Sequence, residues 1–249
     1  MKKVIGRKPL LEAINKGLNL EKIVIAYNQK GKVIDKIIVA AKKRGIKISR
    51  ASTAKFKELE QGSNSQGVIG ILSNLNFYLL DEIISILRER KNPLTLLIDS
   101  VQDPHNLGAI LRTADAAGVD AVFVTVRNTA PFSDVVTKAS AGAINFLKIC
   151  KVKNLSNLIE ILKQNKFWIV GSSLDAEISY LNVDYNMPVA LVVGNEGQGI
   201  RPSILKKCDF VVKIPMLGKV QSLNVSVSTG ILLYQILQRR NKLLNEKIT

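Results

Sequence analysis

The sequence predicts an α/β protein: a larger C-terminal domain built on a parallel sheet, preceded by a small basic α/β unit. Three observations carry this. From Pro93 onward the strand-like segments are continuous apolar runs without alternation, as in sheets covered on both faces. Amphipathic helical patterns lie between those runs, and alternating strand and helix is the signature of an α/β fold. The net charge of +16 is concentrated at the N-terminal end.

In chain order, Pro9 to Lys16 places Leu10, Leu11 and Ile14 on one helical face, and Lys22 to Ala26 reads as a strand. Val33 to Arg44 is helical, with Val33, Ile37, Ile38 and Ala41 in step, and Gly45 ends it. A short strand at Ile46–Ile48, a short helix at Ala54–Leu59 and a strand at Gly67–Leu72 complete a unit over residues 1–73. Residues 74–92 read as a linker with helical spacing from Leu79 to Arg90, broken by Lys91-Asn92-Pro93. The domain over 93–249 holds the strands Leu94–Ile98, Ala121–Val126, Phe167–Val170, Ala190–Val193 and Phe210–Ile214. Leu155, Leu158, Ile159 and Leu162 form one amphipathic stripe between them, and a long helix runs to about Leu244.

Apolar residues make up 47% of the 249 and charged residues 22%, a globular balance. No apolar run approaches the ~20 residues that span a bilayer. The basic start, Met1 to Lys8, has no apolar core behind it, so no signal peptide and a cytoplasmic location are expected. Cys150 and Cys208 are far apart and not in a CxxC, which supports neither a disulfide framework nor a zinc site; no metal is expected. Residues 1–73 carry 16 Lys/Arg against 5 Asp/Glu. Composition alone suits a polyanion such as RNA or DNA and a lysine-rich solvated surface equally, and the asymmetry favours the nucleic acid.

Polar and glycine residues cluster after three strand ends, where open α/β sheets bind ligands. The first cluster runs from Asp99 to Ala114, with a helix expected near Asn106 as N-cap and Arg112 off the apolar stripe of Leu107, Ile110, Leu111 and Ala114. Capping plus a surface arginine explains it as well as an anion site does. The second is Gly194-Asn195-Glu196-Gly197-Gln198-Gly199, followed by Pro202 at a helix start. Three glycines allow the backbone to turn close to a ligand, though a plain turn with a solvated Glu196 has the same composition. It is neither a Walker A loop nor a GxGxxG, which argues against an ordinary Rossmann dehydrogenase. The third leads from Ile214 through Ser222 and Asn224 into the last helix, where either side chain could cap or hold a substrate. The lone histidine, His105, has only Asp103 as a titratable neighbour and is read as structural rather than as a general base.

Taken together, Asp103-Pro104-His105-Asn106-Leu107-Gly108-Ala109, the glycine cluster and Ser222-Leu223-Asn224-Val225-Ser226 resemble the three signature motifs of the SpoU (TrmH-type) RNA 2′-O-ribose methyltransferases of the SPOUT superfamily. Residues 5–72, most legibly Gly6 to Ile14 and Gln66-Gly67-Val68, are similar to that family's L30e-like substrate-binding domain, with Ser65 where a histidine often stands. The resemblance implies a trefoil-knotted parallel-sheet domain, a homodimer through the catalytic domain, and S-adenosyl-L-methionine (AdoMet) as cosubstrate. It places Gly194, Ile214 and Leu223 at the cofactor, largely through backbone groups, and Asn106, Arg112, Glu196, Ser222 and Asn224 in the catalytic group. Arg112, normally protonated, would position an RNA phosphate and stabilise developing alkoxide charge, with Asn106 orienting it. The two-domain pattern implies a guanosine of 23S ribosomal RNA as target. A tRNA methyltransferase of the same family, and a non-catalytic RNA-binding protein, are the alternatives.

Overall fold

The computed structural model describes residues 3–18, 20–60, 64–72, 75, 77–220 and 222–240. The chain folds as two compact units, residues 1–76 and 77–249.

The first unit is a four-stranded sheet with helices. Its elements are β1 (Lys3–Ile5), α1 (Arg7–Asn15), β2 (Leu20–Ala26), α2 (Lys32–Lys43), β3 (Lys47–Ala51), α3 (Thr53–Glu60) and β4 (Val68–Leu72). The strand order is β1-β4-β2-β3; β4 runs antiparallel to β1 and β2, and β2 pairs β3 in parallel. Leu10 and Ile14 of α1 and Ile34, Ile37 and Ala41 of α2 pack on Ile23, Ile25 and Val68 of the sheet. Each large side chain among them, fully buried, contributes ~1.5–3 kcal/mol. Val33 and Ile38, expected on the buried stripe of α2, lie partly exposed at its margin, and Ile34 takes the core position. Ser65, at the position of the family histidine, is fully buried. Its amide donates to the Glu60 carboxylate at 2.8 Å and its hydroxyl bonds the same oxygen, which holds the Glu60 pKa below the ordinary range. Next to it, Arg7 donates to the Gln66 carbonyl at 2.9 Å and to Gln29.

The second unit is a seven-stranded sheet in the order β7-β6-β5-β10-β8-β11-β9, with every pairing parallel. Its strands are β5 (Leu94–Ile98), β6 (Ala121–Thr125), β7 (Ile149–Val152), β8 (Trp168–Ser172), β9 (Ile178–Ser179), β10 (Val189–Val193) and β11 (Phe210–Lys213). The helices are α4 (Leu80–Arg88), α5 (Pro104–Ala116), α6 (Asp134–Ala139), α7 (Leu155–Gln164), α8 (Pro202–Leu205) and α9 (Val225–Arg240). Leu97, Phe123, Ala190 and Val192 share one core with α4, α7 and Ile204 of α8. Their alternate neighbours Leu96, Ile98, Val122, Val124 and Leu191 are equally closed to solvent, and α9 packs on β10 beside α5. The unalternating runs therefore do mark strands covered on both faces. At the far end of α9, Arg240 donates to the carbonyls of Asn92, Tyr185 and Met187, fixing that end beside the loops that feed β5 and β10.

Two further expectations are corrected, and three strands are added. Residues 77–92 are not a free linker. Phe77 bridges β7, and Ile83, Ile84 and Leu87 of α4 are buried in the core of the second unit, because the apolar face of α4 covers that side of the sheet. Helix α5 starts at Pro104, and its cap is Asp103, whose carboxylate accepts from the His105 backbone N–H at 2.8 Å. Asn106 sits in the first turn instead, since Pro104 at the first helical position needs no amide partner. Strands β1, β7 and β9 are not legible in the sequence; each has two to four residues and lies at a sheet edge. The helix expected to reach Leu244 is described as far as Arg240, and 241–244 fall outside the described residues. Among the described residues, no helix is long and apolar enough to cross a membrane.

Candidate active site

Strand order locates the site. From β5 the chain moves outward through β6 and β7, and then returns to place β10 between β5 and β8. At the β5–β10 seam the winding of the sheet reverses, and the crevice opens on its β8 side, beyond the carboxyl ends of β8, β10 and β11. The segment after β5 (Asp99–Asp103) and the segment after β10 (Gly194–Gly199) both emerge at the seam.

The glycine-rich segment is a tight closed loop. Asn195 and Gly199 exchange backbone hydrogen bonds of 2.9 Å in both directions, and the Asn195 side-chain oxygen accepts from the amides of Gly197 and Gln198. Closing the loop brings the Gly194 backbone against Gly199 and Ile200 so closely that a Cβ at 194 would collide with their backbone atoms. Glycine at 194 is therefore required by contact, and glycine at 199 by its left-handed φ of 66°.

Hydrogen bonds stitch this loop to the other two. The Asn195 side chain donates to the Ser100 carbonyl at 3.0 Å. The Glu196 carboxylate accepts from the amides of Gln102 and Asp103 at 3.3 and 3.2 Å, and from the side chains of Asn106 and Asn195 at 3.2 and 3.3 Å. Burial pushes the Glu196 carboxyl up, but its own backbone N–H, those of Asp103 and Gln102, and the Asn106 amide outweigh this and hold its pKa below the ordinary value. Asn106 in turn accepts from the Asn224 side chain at 2.9 Å, and Asn224 accepts from Ser226 at the start of α9. A carboxylate only accepts, so Glu196 dictates which way the Asn106 amide faces, and Asn106 dictates Asn224.

The second and third of these loops, with the segment that follows β8, wall a cavity of about 440 Å³, and the first braces them from behind. Gly194, Glu196, Ile214, Ser222 and Leu223, all singled out from the sequence, line it. Asn106 and Asn224 stand beside it, bonded into the network of Glu196 rather than facing in as lining residues. Arg112 stands apart. It lies six residues along α5 from Asn106, about 9 Å at ~1.5 Å per residue. It is exposed and has no hydrogen bond or ion pair among the described residues. Asn106 makes no bond to Arg112; its amide is used by Glu196 and Asn224. One wall was not anticipated: Ser172, Ser173, Leu174 and Asp175, which continue β8. Their position after a strand end was the available signal, but they lack the glycines that marked the other loops. His105 is exposed, and its backbone amide, not its ring, bonds Asp103. Among the described residues no group of His, Cys, Asp and Glu is placed to hold a metal ion.

The fold and the cavity define a parallel α/β domain with a cavity of small-molecule size at its strand ends, preceded in the chain by a basic unit. Residues 93–234 match the model of the SpoU rRNA methylase family, and residues 3–78 that of the RNA 2′-O ribose methyltransferase substrate-binding domain. The chain belongs to the SpoU family of RNA methyltransferases. It is 37% identical over 239 residues, 96% of each chain, to a Bacillus subtilis (strain 168) protein named "Putative TrmH family tRNA/rRNA methyltransferase YacO". The A. aeolicus TrmH/SpoU tRNA modifying enzyme is similar at 35% identity and a TM-score of 0.56, covering 66% of this chain and 86% of that one. The fold is shared with the SpoU methyltransferase AviRb from Streptomyces viridochromogenes, solved with AdoMet, at 21% identity and a TM-score of 0.62, covering 96% of this chain and 90% of that one.

Proposed function

We propose that this chain methylates the ribose 2′-hydroxyl of a guanosine in 23S ribosomal RNA, with AdoMet as methyl donor. The observation that carries the reading is the hydrogen-bonded series Glu196–Asn106–Asn224, in which the start of α5 joins the two loops that line the cavity. The cavity suits the donor. Its volume lies within the ~300–1,000 Å³ of small-ligand sites. Ile200, Leu205, Ile214 and Leu223 offer an apolar slot for a purine, and Ser172, Glu196 and Ser222 a polar rim for the ribose and the charged end. Gly194, Ile214 and Leu223 would hold it through backbone groups.

AdoMet, when bound, supplies a methyl group already activated on a sulfonium. The chain's own residues supply alignment. Glu196, with both oxygens engaged by four donors, is a brace rather than a free base. Ser222 holds the ribose at the mouth of the cavity, and Asn224, engaged by Asn106 and Ser226, holds the loop. Arg112, a cation with no partner of its own among the described residues, meets the RNA phosphate and stabilises charge developing on the 2′-oxygen. The C-terminal segment is assigned the family's trefoil knot, a reading supported by β10 lying between β5 and β8. A second copy covers α5 and α9: the two helices pack together, yet Val227 and Tyr234 of α9 are about half exposed.

The substrate-binding domain and the 16 Lys/Arg of residues 1–73 favour a large structured RNA, and the two-domain pattern most resembles the 23S ribosomal RNA guanosine methyltransferase RlmB. A tRNA substrate is the second reading, favoured by the likeness of the catalytic unit to the A. aeolicus enzyme. Incubating the protein with AdoMet and either 23S fragments or tRNA, then mapping ribose methylation by mass spectrometry, separates them. Methylation of guanosine in 23S fragments is expected. Methylation of tRNA alone would replace this reading with the second, and methylation of neither would leave an RNA-binding protein.

A further inference from the structure

The glycine-rich loop has a second anchor, made by two residues to which the family resemblance gives no role. Asp99, at the end of β5, carries a carboxylate with no solvent exposure. Arg201, which lies between the loop and α8, reaches it across 102 positions in sequence. Its Nε donates to both carboxylate oxygens at 3.0 Å, and its Nη2 lies 2.7 Å from Oδ1. The Ser100 hydroxyl donates to Oδ1 at 3.2 Å.

We propose that Asp99 and Arg201 are a positioning pair that holds the glycine-rich loop in its ligand-binding shape; this rests on the reading of the cavity as the AdoMet site. The loop is tied to the β5 side at its entry by Asn195 on the Ser100 carbonyl, and at its exit by Arg201 on Asp99. Ile200 and Pro202, on either side of Arg201, both line the cavity. A shift of Arg201 therefore moves two wall residues at once. A buried carboxylate strongly favours keeping its cation, and a planar guanidinium gripping both oxygens fixes direction as well as distance. A lysine ammonium would keep the charge and lose the direction. Neither side chain lines the cavity, so the pair acts through the loop.

The test uses the full chain with Arg201→Lys and Arg201→Met. For Arg201→Lys, the thermal midpoint stays near wild type. The AdoMet dissociation constant by calorimetry and the AdoMet KM rise about 10-fold, the scale of one lost charge-assisted hydrogen bond. The kcat at saturating AdoMet changes much less. A merely structural role would lower the midpoint and the active fraction and leave the AdoMet KM alone. Arg201→Met, if it folds, should weaken AdoMet further. A folded Arg201→Lys or Arg201→Met whose AdoMet affinity stays within twofold of wild type overturns the proposal. Amide hydrogen exchange of residues 195–200 in the ligand-free protein tests the brace without any ligand: faster exchange in both variants is expected, and unchanged protection overturns it. Were the wild-type chain to bind no AdoMet, the reading of the cavity would fail, and the exchange measurement would still judge the pair.

Discussion

The wall of the cavity and the exposed face of α5 are prepared to opposite degrees. Around Glu196, four donors, two of them asparagine side chains, and a backbone-closed loop leave almost nothing to adjust when a ligand arrives. Six residues beyond Asn106 on α5, Arg112 has no partner among the described residues. A site that must fit a small cosubstrate gains from geometry fixed in advance, because ordering it later costs affinity. On the proposed reading, Arg112 keeps its donors free until the RNA supplies a phosphate.

The sharpest way to break this contrast is Arg112→Ala. Turnover should drop by ~10²–10³, the usual effect of removing one stabilising donor. The thermal midpoint and AdoMet affinity by calorimetry should stay near wild type, since Arg112 braces nothing. Retained turnover would remove Arg112 from the chemistry. Next is Gly194→Ala, on the prepared side. The added methyl meets the Gly199 and Ile200 backbone, and overpacking of this kind costs ~1–3 kcal/mol. AdoMet binding should weaken and the thermal midpoint fall together, the coupling that Arg112→Ala should lack.

Glu196 sharpens the comparison through pH. Its folded pKa is depressed, so its contribution to stability is full above the unfolded value of ~4.3 and is lost as pH falls through the folded pKa. The thermal midpoint of the wild type should decline below about pH 4. Glu196→Gln should be less stable at neutral pH and lose less on acidification, and parallel curves for the two proteins would remove Glu196 from the brace. The smallest effect is expected in the basic unit. Neutralising the exposed Lys30 and Lys32 with Gln should weaken RNA binding and lower the log-log salt slope by about 0.7 for each phosphate no longer neutralised, leaving AdoMet affinity alone. An unchanged slope would place the RNA elsewhere.

The thiols follow the same division between packed interior and working surface. Burial, more than nearby acidic groups, pushes both Cys150 and Cys208 up to about 12, so neither is a reactive thiolate at neutral pH.

The sequence by itself determined the parallel sheet, the helix faces and most of the cavity lining. Buried strands and amphipathic helices write their environment into local period, as in Leu94–Ile98, Val189–Val193 and the Leu155–Leu162 stripe, and close turns demand glycine. Tertiary structure alone decided that Asp103 caps α5, that Ser172–Asp175 close the cavity, that Asn106 serves Glu196 and not Arg112, and that Asp99 meets Arg201. The pairings between the segments after β5 and β10 depend on β10 entering between β5 and β8, and strand order is set by how whole faces pack, which no local pattern records.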